Sequence, residues 1–473
     1  MVNQLNFTKF NGCSRQAYLT ARDKNYKSLK DKYNMSSRLH DIQSDMLRSF
    51  PDGVWVYGDT KRAALDTRAI VEKGEEVIYN ATFIHNGASA RCDVIMLENG
   101  AYDIYAVRPT SRYTRWIDEV LFSKIIMEKS GVKVGNCFVC AIDREGMKGK
   151  TLSVINVNNY RRQKKLEERL ERILKNIALE AIPEPSLTRL CGSCPYLESC
   201  FAKSEDSIFT LKSIPFTKKM SLFQKGVKTV DSFAKMPDCD DKTKREILVR
   251  STDEDVYSKE EIASFLKTLH YPLGFLDFET MEVFRPKEKF LAPMDTVITQ
   301  FSYHLIEKEG AEPVHFEFIG DGEHYCEKEV IKELCKCIGK DHCVLMYSDY
   351  EKICIERLMK RHPKSASKLE VIVNNLVDLE KPFAKKVLVN RAMEGKSSLK
   401  KVLPALYPDC PELDYSRMAI KNGQQAESVY ARLGRMSGKE KENAMRDLRE
   451  YCALDTLAMI KLWEKLEFYG KME

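Results

Sequence analysis

The chain lacks any apolar run close to the roughly 18 residues that a membrane-spanning helix requires. Its opening stretch, Met1 to Phe10 with Asn3, Gln4, Asn6 and Lys9, has no charged leader followed by an apolar core. No secretory signal is expected, and the cytoplasm is the expected location. Fifteen cysteines in 473 residues are too dilute for the disulfide scaffold of a secreted protein. Internal repeats and low-complexity segments are also missing. A net charge of +6 is too small to mark a nucleic-acid binder by itself, because mixed charge mostly means a solvated surface. What remains is a globular composition, 43% apolar and 31% charged, long enough for two or three domains and with no membrane partner expected.

Three parts are expected. Residues 1–203 alternate strand-like runs (77–85, 91–97, 102–107, 135–142) with helical ones such as Arg161 to Ala178, which reads as a mixed α/β module. Residues 204–270 read as short helices, with the helix, glycine turn, helix rhythm of a helix-hairpin-helix between Met220 and Ala234. From 271 onward the order is strand (271–278), strand (296–306), strand (315–319), helix (326–338) and strand (342–347), followed mainly by helices.

The last part carries the chemistry. Leu276-Asp277-Phe278-Glu279 continues an extended run, so alternation puts both carboxylates on one strand face. Tyr451 and Asp455 stand four apart in a helical pattern from Glu442 to Leu466 and so share one helix face. Adjacent acids need a cation between them, and the two pairs suggest a carboxylate cage for Mg²⁺ or Mn²⁺.

A second cluster, Cys191-Gly-Ser-Cys194 with Cys200, puts three thiols within ten residues. Three thiolates so close call for a soft metal, and either zinc or an iron-sulfur cluster asks for a fourth ligand. Cys13 is the remote candidate, and it would close the first and last segments of the module like a clasp. Five lysines and three phenylalanines lie between Ser207 and Val230 without an acid. Lys218, Lys219, Lys225 and Lys228 are candidate phosphate contacts there, and Phe209, Phe216 and Phe223 either stack on bases or form a core. Lys400 and Lys401 are further phosphate candidates or a solvated helix start. Gln300, Ser302 and His304 share a strand face that flanks the site or meets solvent, and Asp378 is a supporting acid or a cap. Cys137, Cys140, Cys335, Cys337 and Cys343 read as core.

Two resemblances follow from these residues. A lone Cys13 and a terminal C-x2-C-x5-C bracketing an α/β core resemble the RecB-type iron-sulfur nucleases, of PD-(D/E)xK fold, including those of CRISPR adaptation. That likeness implies a 4Fe-4S cluster on Cys13, Cys191, Cys194 and Cys200. Those nucleases place an Asp at a strand end, matched by Asp93, and then Glu-x-Lys on the next strand. Here that strand reads Ala106-Val107-Arg108, and Ser123 stands where a helical Gln is common. Asp103 points to the opposite sheet face, so the module is expected to be catalytically inactive. His40 is a possible first-motif residue.

Residues 271–470 are similar to the DEDD exonucleases, which have a ribonuclease-H-like fold. Asp277 and Glu279 match the first motif, and Tyr451 and Asp455 match the third in its tyrosine form. The middle motif falls in Tyr347-Ser-Asp-Tyr-Glu351, with Glu351 as the third acid and Asp349 its rival. The arrangement as a whole resembles a bacterial and phage family that fuses these modules through a small helical linker. It implies a 3′-to-5′ exonuclease using two metal ions on single-stranded nucleic acid, with DNA favoured and RNA open. The competing expectation is an iron-sulfur nucleic-acid-binding scaffold without cleavage.

Overall fold

A computed structural model describes residues 1–9, 13–23, 37–143, 152–284 and 286–472. The chain is mixed α/β and divides into two compact units: Met1–Cys200 with Phe284–Asp295, and Phe201–Val283 with Thr296–Glu473. The segment expected as a separate linker, 204–270, belongs to the second unit.

In the first unit, β1 (Val54–Trp55), β2 (Val77–Tyr79), β5 (Val94–Glu98), β6 (Ala101–Val107), β7 (Val134–Ile142) and β8 (Leu152–Asn156) form one sheet in the order β1-β2-β5-β6-β7-β8. A separate ladder pairs β3 (Thr82–His85) with β4 (Ala88–Arg91). The sequence pattern leads one to expect single strands over 77–85 and 91–97, but both break at one level. Asn80 takes φ +55, a left-handed conformation that asparagine tolerates better than most residues. Its N–H reaches the Asp93 carbonyl at 3.0 Å, and the Cys92 N–H reaches the Ala81 carbonyl at 2.8 Å. Helix α1 (Ser14–Arg22) follows a short helix over Gln4–Lys9, and α2 (Ile117–Lys129) makes the crossover that the parallel β6/β7 pair requires. In α3 (Tyr160–Ile177), Leu166, Leu170 and Ile173 recur at helical spacing and are buried in the core, where Phe122 and Ile125 of α2 also lie.

The second unit holds β10 (Leu273–Val283), β11 (Asp295–Ile306), β12 (Val314–Ile319), β13 (Cys343–Met346) and β14 (Leu376–Asp378) in the order β12-β11-β10-β13-β14. A short β9 (Val256–Tyr257) pairs separately with β15 (Leu388–Val389). Strand β10 runs parallel to β13, β13 runs parallel to β14, and β11 and β12 are antiparallel. The helices that position the site are α4 (Glu327–Cys337), α5 (Tyr350–Arg361), α6 (Leu399–Leu406), α7 (Gly423–Leu433) and α8 (Gly438–Lys471). In the 204–270 segment, helices Phe216–Gln224 and Val230–Ala234 flank Gly226 at φ +92, matching the expected rhythm of helix, glycine turn and helix.

Alternation along β10 sorts its side chains. Leu276 and Phe278 join one core with Val330 and Leu334 of α4 and Ile355 and Leu358 of α5. Leu273 and Phe275 join the other, with Trp463 and Leu466 of α8 and Leu403 of α6. Asp277 and Glu279 have the same parity as Leu273 and Phe275, so they face α8. Two residues of strand advance roughly 6.6 Å and four of helix about 6 Å. The Asp277/Glu279 pair and the Tyr451/Asp455 pair therefore stay in step where strand and helix pass.

Candidate functional site

Asp277, Glu279 and Asp455 each offer a carboxylate oxygen, and these atoms lie within 4.8 Å of one another. Asp277 and Glu279 are half-buried, and Asp455 is 6% exposed. Glu351 approaches from the first turn of α5. Ser348 has φ +80, costly for a serine, and gives its N–H to Asp378 Oδ1 at 3.2 Å. The chain turns there, Asp349 is left exposed as the cap of α5, and Glu351 points inward at 3% exposure. A hydrogen bond of 2.6 Å between Thr280 and Tyr350 ties the start of α5 to β10. The Glu351 Oε2 atom is buried without a hydrogen-bond partner.

The electrostatics are those of a site short of positive charge. Burial, then Asp455, Glu351 and Glu279, push the Asp277 carboxyl far above its usual range. Glu279 is pushed up to about 8 by burial and Asp455, with Lys400 opposing. Glu351 also rises to about 8, by burial first and then Asp455, Asp378 and Asp349. Asp455 reaches only about 6, because Tyr415, Lys400 and Tyr451 partly offset its burial. Crowded oxygens at raised pKa, one of them orphaned, fit a hard divalent cation such as Mg²⁺ or Mn²⁺.

Around the acids, the Tyr415 hydroxyl donates to Asp455 Oδ1 at 2.5 Å, and the Cys452 thiol lies 3.6 Å from Asp277 Oδ2. Sequence reasoning missed Tyr415, which sits in a short irregular turn with no periodic signal. Lys400 and Lys401 are adjacent on α6 and part company: Lys400 donates to the Tyr451 hydroxyl at 2.6 Å, and Lys401 pairs with Glu394 at 3.2 Å. On the Gln300, Ser302 and His304 face, Gln300 and Ser302 are buried and His304 is half-buried. This face grips α8 through the Leu448 carbonyl (3.0 Å from Gln300 Nε2) and the Thr456 hydroxyl (2.7 Å from Ser302 and 2.8 Å from His304).

The lysine stretch is mostly amphipathic packing. Lys219 is 7% exposed, points at the Phe209 carbonyl and is pushed down to about 8 by burial, which corrects its assignment as a phosphate contact. Lys218 reaches the Asp238 carbonyl at 3.4 Å and lies over Phe233. Lys225 and Lys228 are exposed. Phe209, Phe216 and Phe223 pack with Phe201 as a small core rather than presenting open ring faces.

In the first unit, Cys13 caps α1, its sulfur accepting from the Gln16 N–H at 3.4 Å. Hydrogen bonds from Arg15 to the Pro183 carbonyl, from Arg22 to those of Ile177 and Leu179, and from Tyr196 to Asp23 sew α1 to the segment that leads into the cysteine run. The Cys194 thiol is pushed up by burial and by the nearby Cys191, Cys13 and Cys200, so the four face a common region as free, half-buried thiols. A tetrahedral zinc with ~2.3 Å bonds would need its sulfurs within about 4 Å of one another. Among the described residues, only the acid triad gathers three potential ligands within 4.8 Å. Cys137 and Cys140 are buried core residues.

Beside Asp93 this unit holds Arg108. Its guanidinium pairs with Asp93 and, at 2.5 Å, with Glu119, and lies 5.0 Å from the Trp116 ring. The remaining cavity, bordered by Asp93, Ala106, Arg108 and Ser123, is about 10 Å³, room for one water at most. Asp103 faces the other side and accepts from the Asn136 N–H at 2.5 Å. His40 is exposed.

Fold and site thus define a mixed α/β protein with an acidic centre suited to a divalent cation. Residues 274–398, which include Asp277, Glu279 and Glu351 but not Tyr451 or Asp455, match a family described as a domain of unknown function (DUF2779). No curated protein matches the chain, and no solved structure does.

Proposed function

We propose that this protein is a divalent-metal-dependent 3′-to-5′ exonuclease, of the tyrosine-type DEDD class with a ribonuclease-H-like fold, acting on single-stranded nucleic acid. DNA is the favoured substrate. The observation that carries the reading is the approach of Asp277, Glu279 and Asp455 to within 4.8 Å, with the buried Glu351 facing them. The sheet order, with β10 central and parallel to β13, is the order a ribonuclease-H-like domain has, and it supports the same reading.

Asp277, Glu279, Glu351 and Asp455 would hold two Mg²⁺ or Mn²⁺ ions. Bound there, the ions would supply a lowered pKa for the attacking water and charge stabilisation for the leaving 3′ oxygen. Tyr451 orients that water. Tyr415 holds the Asp455 carboxylate, and Cys452 packs beside Asp277. We further propose that the first unit is an inactive PD-(D/E)xK-like module in which Arg108 takes the place of the metal. Its four thiols would clasp a 4Fe-4S cluster, a wider group than zinc. Free thiols throughout accord with a cytoplasmic location. Among the described residues, no helix is long and apolar enough to cross a membrane.

The test is to purify the protein anaerobically, add Mn²⁺ or Mg²⁺, and follow 5′-labelled DNA and RNA oligonucleotides with free or blocked 3′ ends. Stepwise shortening of the free-ended strand that is lost in Asp277→Ala is the expected result. Tight binding without cleavage would favour the scaffold reading, and shortening of RNA alone would reverse the substrate preference.

A further inference from the structure

Lys400 stands where the carboxylate chemistry alone does not require it. It occupies the first turn of α6, and its ammonium is held by the Tyr451 hydroxyl at 2.6 Å, the Lys421 carbonyl at 3.2 Å, and the ring faces of Tyr415 and Tyr451 at 5.1 and 4.8 Å. A surface lysine that only solvates a helix end is not gripped from several sides. An ammonium can only donate, so the bond to Tyr451 uses the phenol oxygen as acceptor and leaves the phenolic hydrogen to point elsewhere. Burial and, after it, the Asp455 carboxylate one turn on along α8 push the Tyr451 phenol up, so the acid cage lies on the side to which that hydrogen can turn.

We propose that Lys400 is a positioning residue for Tyr451. Its ammonium fixes the phenol oxygen and turns the hydroxyl hydrogen toward the acid cage. The proposal rests on the exonuclease reading for its catalytic meaning, because the group so oriented is the one that would face the attacking water. Lys400 and Tyr415 also border a cleft of about 670 Å³ with Tyr407, Asp414 and Arg417. A lysine at a cleft wall could instead touch a substrate phosphate directly. The two roles predict different kinetics: a positioning residue acts on kcat and only through Tyr451, whereas a phosphate-binding one acts on KM and independently of it.

The experiment compares Lys400→Ala, Lys400→Arg, Tyr451→Phe and the Lys400→Ala/Tyr451→Phe double variant on a single-stranded oligonucleotide with Mn²⁺. Lys400→Ala is expected to lower kcat about 10- to 100-fold with KM little changed, as small misplacements at reacting groups do. In the Tyr451→Phe background the same change should cost less than about twofold, and Lys400→Arg should recover part of the loss. A raised KM with intact kcat, or additive losses in the double variant, overturns the proposal. A second readout needs no substrate: protein labelled with 3-fluorotyrosine, its Tyr451 ¹⁹F resonance assigned from Tyr451→Phe. That resonance should shift or broaden in Lys400→Ala while those of distant tyrosines hold. An unmoved Tyr451 resonance sinks the positioning role whether or not the protein cleaves. A moved resonance in a protein that cleaves nothing upholds the positioning and removes the exonuclease reading instead.

Discussion

Without metal, the acid cage should make the protein less stable as pH rises. Glu279 titrates at about 8 instead of its usual 4.5, and Glu351 likewise. The folded state therefore binds protons that the unfolded chain has already released, so stability is highest at low pH and falls between about pH 4.5 and 8. At about pH 7, Glu279 has been carried some 2.5 units past its unfolded pKa, which costs the folded state about 3 kcal/mol at 1.36 kcal/mol per unit. Glu351 costs a similar amount, but the acids raise one another, so the combined effect is on the order of 5 kcal/mol rather than a simple multiple. For a unit of this size each kcal/mol moves Tm by roughly 2–4 °C, so the fall should exceed about 10 °C. Circular-dichroism melts at about pH 5, 6, 7 and 8, in EDTA and in Mn²⁺, measure it. Tm in EDTA should drop steadily with pH, Mn²⁺ should flatten the drop, and Glu279→Gln should melt above wild type at the alkaline end. A flat or rising Tm in EDTA, or Gln variants that melt lower than wild type at about pH 8, would refute the claim that these carboxylates are forced together.

The choice of third acid is testable directly: Glu351→Gln should slow cleavage by on the order of a hundredfold, and Asp349→Asn, at an exposed cap, by less than about twofold. Arg108→Met leaves the half-buried Asp93 and Glu119 carboxylates without their cation, and should cost the first unit roughly 2–3 kcal/mol in a denaturant titration, while cleavage by protein still folded is unchanged. Cys194→Ala should remove a brown absorbance near ~400 nm, and colourless wild-type protein with stoichiometric zinc would replace the cluster by that metal. Lys225→Glu with Lys228→Glu should weaken single-strand binding and reduce its salt slope by about 0.7 for each phosphate no longer neutralised; Lys219→Met, a buried site, should leave the slope alone.

The order of strands and helix from 271 to 347 and the faces of β10 and α8 could be read from the sequence. Each of these depends on the spacing of neighbours along the chain, and period two or period 3.6 encodes which side chains share a face whatever packs against them. The same rule put Asp103 on the wrong side of β6 for a metal ligand, and in the structure it bonds to Asn136. The break at Asn80 escaped it, because a left-handed residue inside an apolar run leaves no periodic trace.

Spacing alone did not decide which polar groups meet across the fold. The sequence could not rank Glu351 against Asp349, since adjacent residues on one turn look alike until burial sends one inward and leaves the other exposed. Nor could it separate Lys400 from Lys401, or show that Lys219 is inside and that Tyr415 holds Asp455. Those outcomes depend on segments tens to hundreds of residues apart meeting in space, with a geometry set by how strand and helix cores pack. The sequence by itself determined that acids, a phenol and thiols would be presented on defined faces, and tertiary packing decided which of them converge.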